Sequence, residues 1–177
     1  LESLKNGNQP NGEKYCYAPI ALFAVDKKQN KLMPVAIQCG QDPREYSIFT
    51  PKSPEWTWKM AKAVVNSADG NHHELVTHLS RTHLFLEPFV VATNRQLSVN
   101  HPLYRLLVPH FKGTIFINYL AKEKLIAPGG GVDYLLSGTI ESDAGVAIQS
   151  VLGMKFNESF FPETLKKRKV MDISSLE

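Results

Sequence analysis

The 177-residue sequence has only two cysteines, Cys16 and Cys39, and they lack CxxC spacing. That excludes a thiolate zinc site and a dithiol redox motif, leaving one disulfide or two free thiols. Free thiols, buried in a reducing cytosol, are the expected state. No apolar run reaches the ~18 residues that a membrane span needs. The opening LESLKNGNQPNGEKY is polar, which excludes a secretory leader on the chain as it stands. Neither sign of charge is in large excess: 20 Lys plus Arg stand against 17 Asp plus Glu, a net of +3. So slight a basic balance makes no case for nucleic acid as a partner. Internal repeats and low-complexity tracts are absent too. What is present is 43% apolar residues, enough for a packed core, in a length that suits one domain.

Along the chain, residues 1–17 read as a flexible lead-in rich in Asn, Gly and Lys. Residues 18–40 read as a hairpin: APIALFAV, a polar DKKQNK turn, then LMPVAIQC, where Pro34 suggests an edge strand. A proline-rich loop follows. Ser53 is a candidate N-cap with Pro54 in the first turn. Trp56, Met60, Ala63 and Val64 then mark one helix face, and Asp69-Gly70 is the expected stop. Trp56 and Trp58 fit core or near-surface aromatics. A longer helix is expected over 71–97. Its Leu75, Val76, Leu79, Leu84, Phe85 and Leu86 encircle it, which implies burial on all sides, and Pro88 should kink it. Pro102 opens a short helix to Leu107 that Pro109 stops. Thr114 can cap a helix over 115–127, which Pro128 and Gly129–Gly131 end. Ser142 can cap another, to Leu152. Residues 158–177 are helical at best and carry a solvated basic run at Lys166–Lys169. The expected class is mainly α, helical over 53–170, with a small β hairpin near the N-terminus.

Four of the six histidines lie between positions 72 and 83. Neutral imidazole is the commonest side-chain ligand for transition metals. The zinc-protease pattern H-E-x-x-H is not met, because after His73 and Glu74 the next histidine comes one residue late. The actual spacing, His73, His78, His83, is two steps of five. On an α-helix, neighbours at that spacing stand about 140° apart and cannot share an ion. A π-helix brings residues five apart to one face, and such segments occur mostly at functional sites. A local π-helix between His78 and His83, with both on one metal, is therefore the sharp expectation; hydrogen-bonded histidines of a buried helix are the plain alternative. Fe, Cu, Ni and Zn all suit two imidazoles. His101 and His110 are further candidates by type only.

Residues 73–89, HELVTHLSRTHLFLEPF, resemble the iron-binding signature of the lipoxygenases: H-x4-H-x4-H, a hydrophobic stretch, then Glu. The resemblance extends to APIALF at 18–23, PVAI at 34–37, Trp58, Ala61, Lys62 and Asp69. Downstream it includes ATNRQLS at 92–98 and HPLYRLLVPH at 101–110, similar to plant and bacterial members. It covers about residues 18–170 and implies that 1–177 is an N-terminal to central segment of the helical catalytic domain. It further implies a non-haem iron dioxygenase that makes hydroperoxides from polyunsaturated fatty acids and O2. No catalytic side chain is implied beyond the iron-bound hydroxide.

By the same resemblance, His78 and His83 match iron ligands, and His73 and Glu74 match neighbours that orient ligands. Ala121 matches a position that biases where O2 lands, and Leu125 and Val132 match residues of the substrate channel. The implied partners are the fatty acid, the remainder of a lipoxygenase chain and, as an open alternative, a membrane surface touched by a cytoplasmic enzyme.

The family's iron site is completed by a later His, an Asn or His one turn on, and a C-terminal Ile carboxylate. Here no histidine follows Ala127, and the sequence ends in Glu177. Lys169 stands where the family usually has Gly after Lys-Arg. The expectation is a fragment inactive alone. The alternative of another class is a non-catalytic helical module that binds lipid or a partner.

Overall fold

A computed structural model describes residues 1–171; the end of the tail, 172–177, lies outside the described residues. Strands β1 (Ile20–Asp26), β2 (Lys31–Gln38) and β3 (Ile48–Phe49) form an antiparallel sheet in the order β1-β2-β3. The expected hairpin is thus present, joined by a short third strand from the proline-rich loop. Pro34 lies in the central strand, not at an edge. Two features accommodate it. The register shifts between Leu22 and Phe23, which pair with Ala36 and Pro34. In addition, β3 pairs only with Ile37 and Gln38, so no ladder bond on that side requires a Pro34 N–H.

Helix α1 (Glu55–His72) passes through Asp69-Gly70 and continues into a π-helix, His73–Leu84. Gly70 costs ~1 kcal/mol of propensity. That is outweighed because Ala61 and Ala68 before it, and Asn71, Leu75 and Val76 beyond it, are buried. Ser53 does not cap α1: Pro54 is the N-cap, and Ser53 Oγ accepts from the Thr50 N–H instead. The helix expected over 71–97 is two pieces, because a turn at Phe85-Leu86 separates the π-helix from α2 (Glu87–Gln96). Pro88 sits in the first turn of α2, where its missing N–H is no loss.

Next come α3 (Pro102–Leu107) with a 3-10 turn, Val108–Phe111, and α4 (Thr114–Leu120) with a second π segment, Ala121–Leu125. Left-handed Gly113 caps α4, so Thr114 is its first residue rather than its cap. Short α5 (Gly131–Leu135) was not foreseen. In α6 (Ile140–Leu152) the cap is Thr139, whose side chain accepts from the Ser142 N–H, so Ser142 is capped rather than capping. Helix α7 (Phe161–Lys167) closes with Lys169 N–H on Lys166 O and Val170 N–H on Leu165 O. That closure puts Lys169 at φ 56, where a Cβ costs about 1 kcal/mol and glycine costs nothing.

The π-helix is buried on one side only, by α6. Leu75, Val76 and Ser80 are buried, Ser80 against Ala147 of α6, whereas Thr77, His78, Arg81 and Leu86 are exposed. The enclosure expected from its apolar circumference is therefore not supplied by the described residues. Ser80, fully buried, donates its hydroxyl to Leu75 O at 2.6 Å and Ala147 O at 3.0 Å, pinning the π-helix to α6.

The lead-in has no helix or longer strand, but the looseness read from its composition is not what the contacts show. Asn6 bridges Gly138, the Gly7 N–H bonds Ser137 O, and the Thr139 N–H bonds Lys5 O. Lys14 Nζ donates to the carbonyls of Asp133, Tyr134 and Leu136 at 2.8, 3.0 and 2.6 Å. A cation at the C-terminal carbonyls of α5 is the favoured placement. Both thiols are free and half-buried rather than buried.

Beneath this strap lies Asp143, fully buried, with neither carboxylate oxygen hydrogen-bonded. Burial pushes its pKa up to about 6, against the pull of Lys14 and with a further push from Asp133. A raised carboxyl pKa means that the folded state holds the proton more tightly. Its stabilising contribution is complete below about pH 4 and is lost as pH rises to about 6. Asp143→Asn should therefore stabilise by about 1–2 kcal/mol at pH 7 and by nothing at pH 4. Denaturant titration at both pH values checks this; an equal effect at both would contradict it.

Candidate metal centre

The two histidines brought together by the π winding are His78 and His83. Their ring centroids are 4.9 Å apart, and their Nε2 atoms 3.1 Å. The winding is sustained by i→i+5 bonds such as Phe85 N–H on Ser80 O, and the Ser80 hydroxyl adds a second five-residue link to Leu75 O. The π-helix expected between His78 and His83 is present and longer, 12 residues from His73.

Each ring is held from its far side. His78 Nδ1 lies 2.9 Å from Glu74 Oε2, while Glu74 Oε1 lies 3.1 Å from His73 Nδ1. These bonds, from His78 first and then His73, hold the Glu74 carboxyl below its usual range. His83 Nδ1 lies 2.9 Å from Asn118 Oδ1. Asn118 Nδ2 donates to Glu87 Oε2 at 2.7 Å and to the His83 carbonyl at 3.2 Å. Asn118, buried on α4, was not singled out from the sequence, and Glu87 entered only as the end of a motif. The available signal was a lone amide within the apolar TIFINYL of α4.

The donor set fits a transition metal. Each Nδ1 faces an oxygen, and a ring that donates there is left with its Nε2 lone pair turned toward the other ring. The 3.1 Å between the Nε2 atoms is the separation of two neighbouring imidazoles, each about 2.1 Å from one ion. Among the described residues no group of three or more His, Cys, Asp or Glu is placed to hold an ion. His101 is otherwise engaged, its Nδ1 accepting from the Leu103 N–H as the cap of α3. His110 lies exposed in the 3-10 turn.

Ala121 opens the second π segment one turn beyond Asn118, and Leu125 closes it. Leu125 Cδ2 lies against Gly131, next to Val132 in α5. The three residues matched to oxygen and substrate therefore follow directly from the helix that holds His83. Gly129, at φ 73, serves the turn after that segment. Trp56 is exposed with Lys59 Nζ 4.5 Å over its ring, and Lys62 Nζ lies 5.9 Å over Trp58.

The family model described as Lipoxygenase matches residues 4–175. A linoleate 9/13-lipoxygenase of Pseudomonas aeruginosa is 45% identical over 170 residues, covering 93% of this chain and 25% of that protein. The crystal structure of Delta413-417:GS LOX superposes with a TM-score of 0.89 at 38% identity, over 98% of this chain and 27% of the other. The anaerobic complex of delta413-417:GS LOX with arachidonate gives 0.87 at 36% identity, with the same coverage, 98% and 27%. The chain thus spans about a quarter of the length of the relatives it matches. It is a member of the lipoxygenase family, whose helical fold with its small antiparallel sheet it reproduces over that segment.

Proposed function

We propose that this chain is the N-terminal to central segment of the catalytic domain of a non-haem iron dioxygenase that converts polyunsaturated fatty acids to hydroperoxides. The observation that carries the reading is the pair of Nε2 atoms, 3.1 Å apart, with both rings anchored through Nδ1. His78 and His83 are two of the iron's ligands. Bound iron supplies the one-electron oxidant for taking a hydrogen from the methylene between two cis double bonds. Glu74 keeps the His78 ring turned inward, and His73 braces Glu74 from its other oxygen. Leu125 and Val132 offer apolar surface to the acyl chain, where each buried CH2 is worth about 0.8 kcal/mol. Ala121, small and half-buried, leaves room for O2 beside the resulting carbon radical.

The remaining ligands come from the remainder of a longer lipoxygenase chain, and these 177 residues alone are inactive. Among the described residues no helix is long and apolar enough to cross a membrane. The reading is of a cytoplasmic enzyme that meets its lipid at a membrane surface. The test is metal analysis of the complete protein together with diene absorbance on linoleate. Near-stoichiometric iron with diene formation is expected, and none from residues 1–177 alone. A complete protein without iron overturns the reading, and diene formation by the isolated segment overturns its incompleteness.

A further inference from the structure

Resting on that reading, we propose that Asn118 and Glu87 are positioning residues that fix the His83 proton on Nδ1 and so aim its Nε2 lone pair at the ion. The argument is one of donors and acceptors. An amide side chain has two N–H donors and one oxygen, and a ring nitrogen can take either role. Asn118 Nδ2 faces two acceptors, Glu87 Oε2 at 2.7 Å and the His83 carbonyl at 3.2 Å. Both N–H groups are therefore spent. The atom left for the ring is Oδ1, 2.9 Å from His83 Nδ1, and an oxygen only accepts. His83 must carry its hydrogen on Nδ1.

Glu87 acts on this without touching the ring, because it makes the shorter of the two bonds that set which way round the amide sits. Asn118 is buried, 8% exposed, between a half-buried His83 and a half-buried Glu87, so water has restricted access to these bonds. The arrangement also ties three elements, since Asn118 comes from α4, Glu87 from α2 and His83 from the π-helix. The two rings are held differently. His78 takes a carboxylate directly from one turn away, whereas His83 takes an amide whose orientation a carboxylate sets. An amide leaves the His83 imidazole less electron-rich than a direct carboxylate would.

The test uses the complete protein, with iron affinity measured by chelator competition and the ferric EPR spectrum recorded. Glu87→Leu leaves the amide held only by its longer bond to the His83 carbonyl and should weaken iron binding by about 10-fold, the low end for losing a partner behind a ligand. Asn118→Asp sets a carboxylate against Glu87 and should weaken it similarly. Adding Glu87→Gln restores the logic: the new amide at position 87 donates to the new carboxylate at position 118, whose other oxygen accepts from His83 Nδ1. The double variant should regain affinity and EPR symmetry relative to Asn118→Asp, short of the wild type because the His83 carbonyl keeps no donor.

A packing role alone predicts no such rescue. If Asn118→Asp does not fold, folding and iron loading of the double variant carry the same weight, and Glu87→Leu is read independently. Wild-type affinity and spectrum in Glu87→Leu, or no regain in the double variant, overturns the proposal. Absence of iron from the wild-type protein overturns instead the dioxygenase reading beneath it.

Discussion

His78→Ala in the complete protein should lose its iron and, with it, diene formation from linoleate. The loss should be at least about 10³-fold in rate, because only the uncatalysed reaction remains. The expectation rests on geometry: one of two converging Nε2 atoms is removed, and no third described group stands ready to replace it. Stability is not the route. The side chain of His78 is 48% exposed, so its removal should cost no more than about 0.5 kcal/mol, visible as an almost unchanged thermal midpoint. His73→Ala is the matched control. Its ring bonds Glu74 Oε1 and stacks on the His78 ring, centroids 6.0 Å apart, without presenting a nitrogen to the Nε2 pair, so iron should stay and bind more weakly. Full iron occupancy in His78→Ala, by metal analysis, would overturn the ligand assignment.

The legible part of this site was its periodicity. Histidines five apart make no sense on one face of an α-helix, and a π-helix resolves the conflict. Its length was not legible, since it is set partly by Ser80, whose hydroxyl bonds an α6 carbonyl 67 positions away. Gly70 misled for the related reason that tertiary burial on both sides outweighs a local stop signal. Thr139 and Ser142 both have capping side chains, and only the observed bonds separate capping from capped. Lys14 looked like one charge in a loose lead-in, because its three carbonyl partners lie some 120 positions on. Asn118 presented a weaker signal than any histidine, yet it is the residue that turns His83.

The strap over Asp143 implies a second large effect, at Gly138. A Cβ there would collide with Asp143 Oδ1 and stand 2.9 Å from its Cγ and 3.1 Å from Ser142 Oγ. The carboxylate has no open side to move into, being fully buried. The Gly138 backbone is fixed by its bridge to Asn6, with Gly7 so close that a Cβ on it would meet Gly138 O at 2.5 Å. Gly138→Ala should therefore cost about 3 kcal/mol, the upper end for an added methyl in a closed site, read from the denaturation midpoint. The cause can be isolated. Asp143→Ala removes the group that the new methyl strikes and also a buried carboxyl without a partner, so the Gly138→Ala/Asp143→Ala pair should regain most of the loss. A coupling of at least about 1.5 kcal/mol in that cycle marks the collision as the origin. Additive costs would instead place the damage in the backbone contacts with the lead-in, and the Asn6 bridge would then be the element that cannot give way.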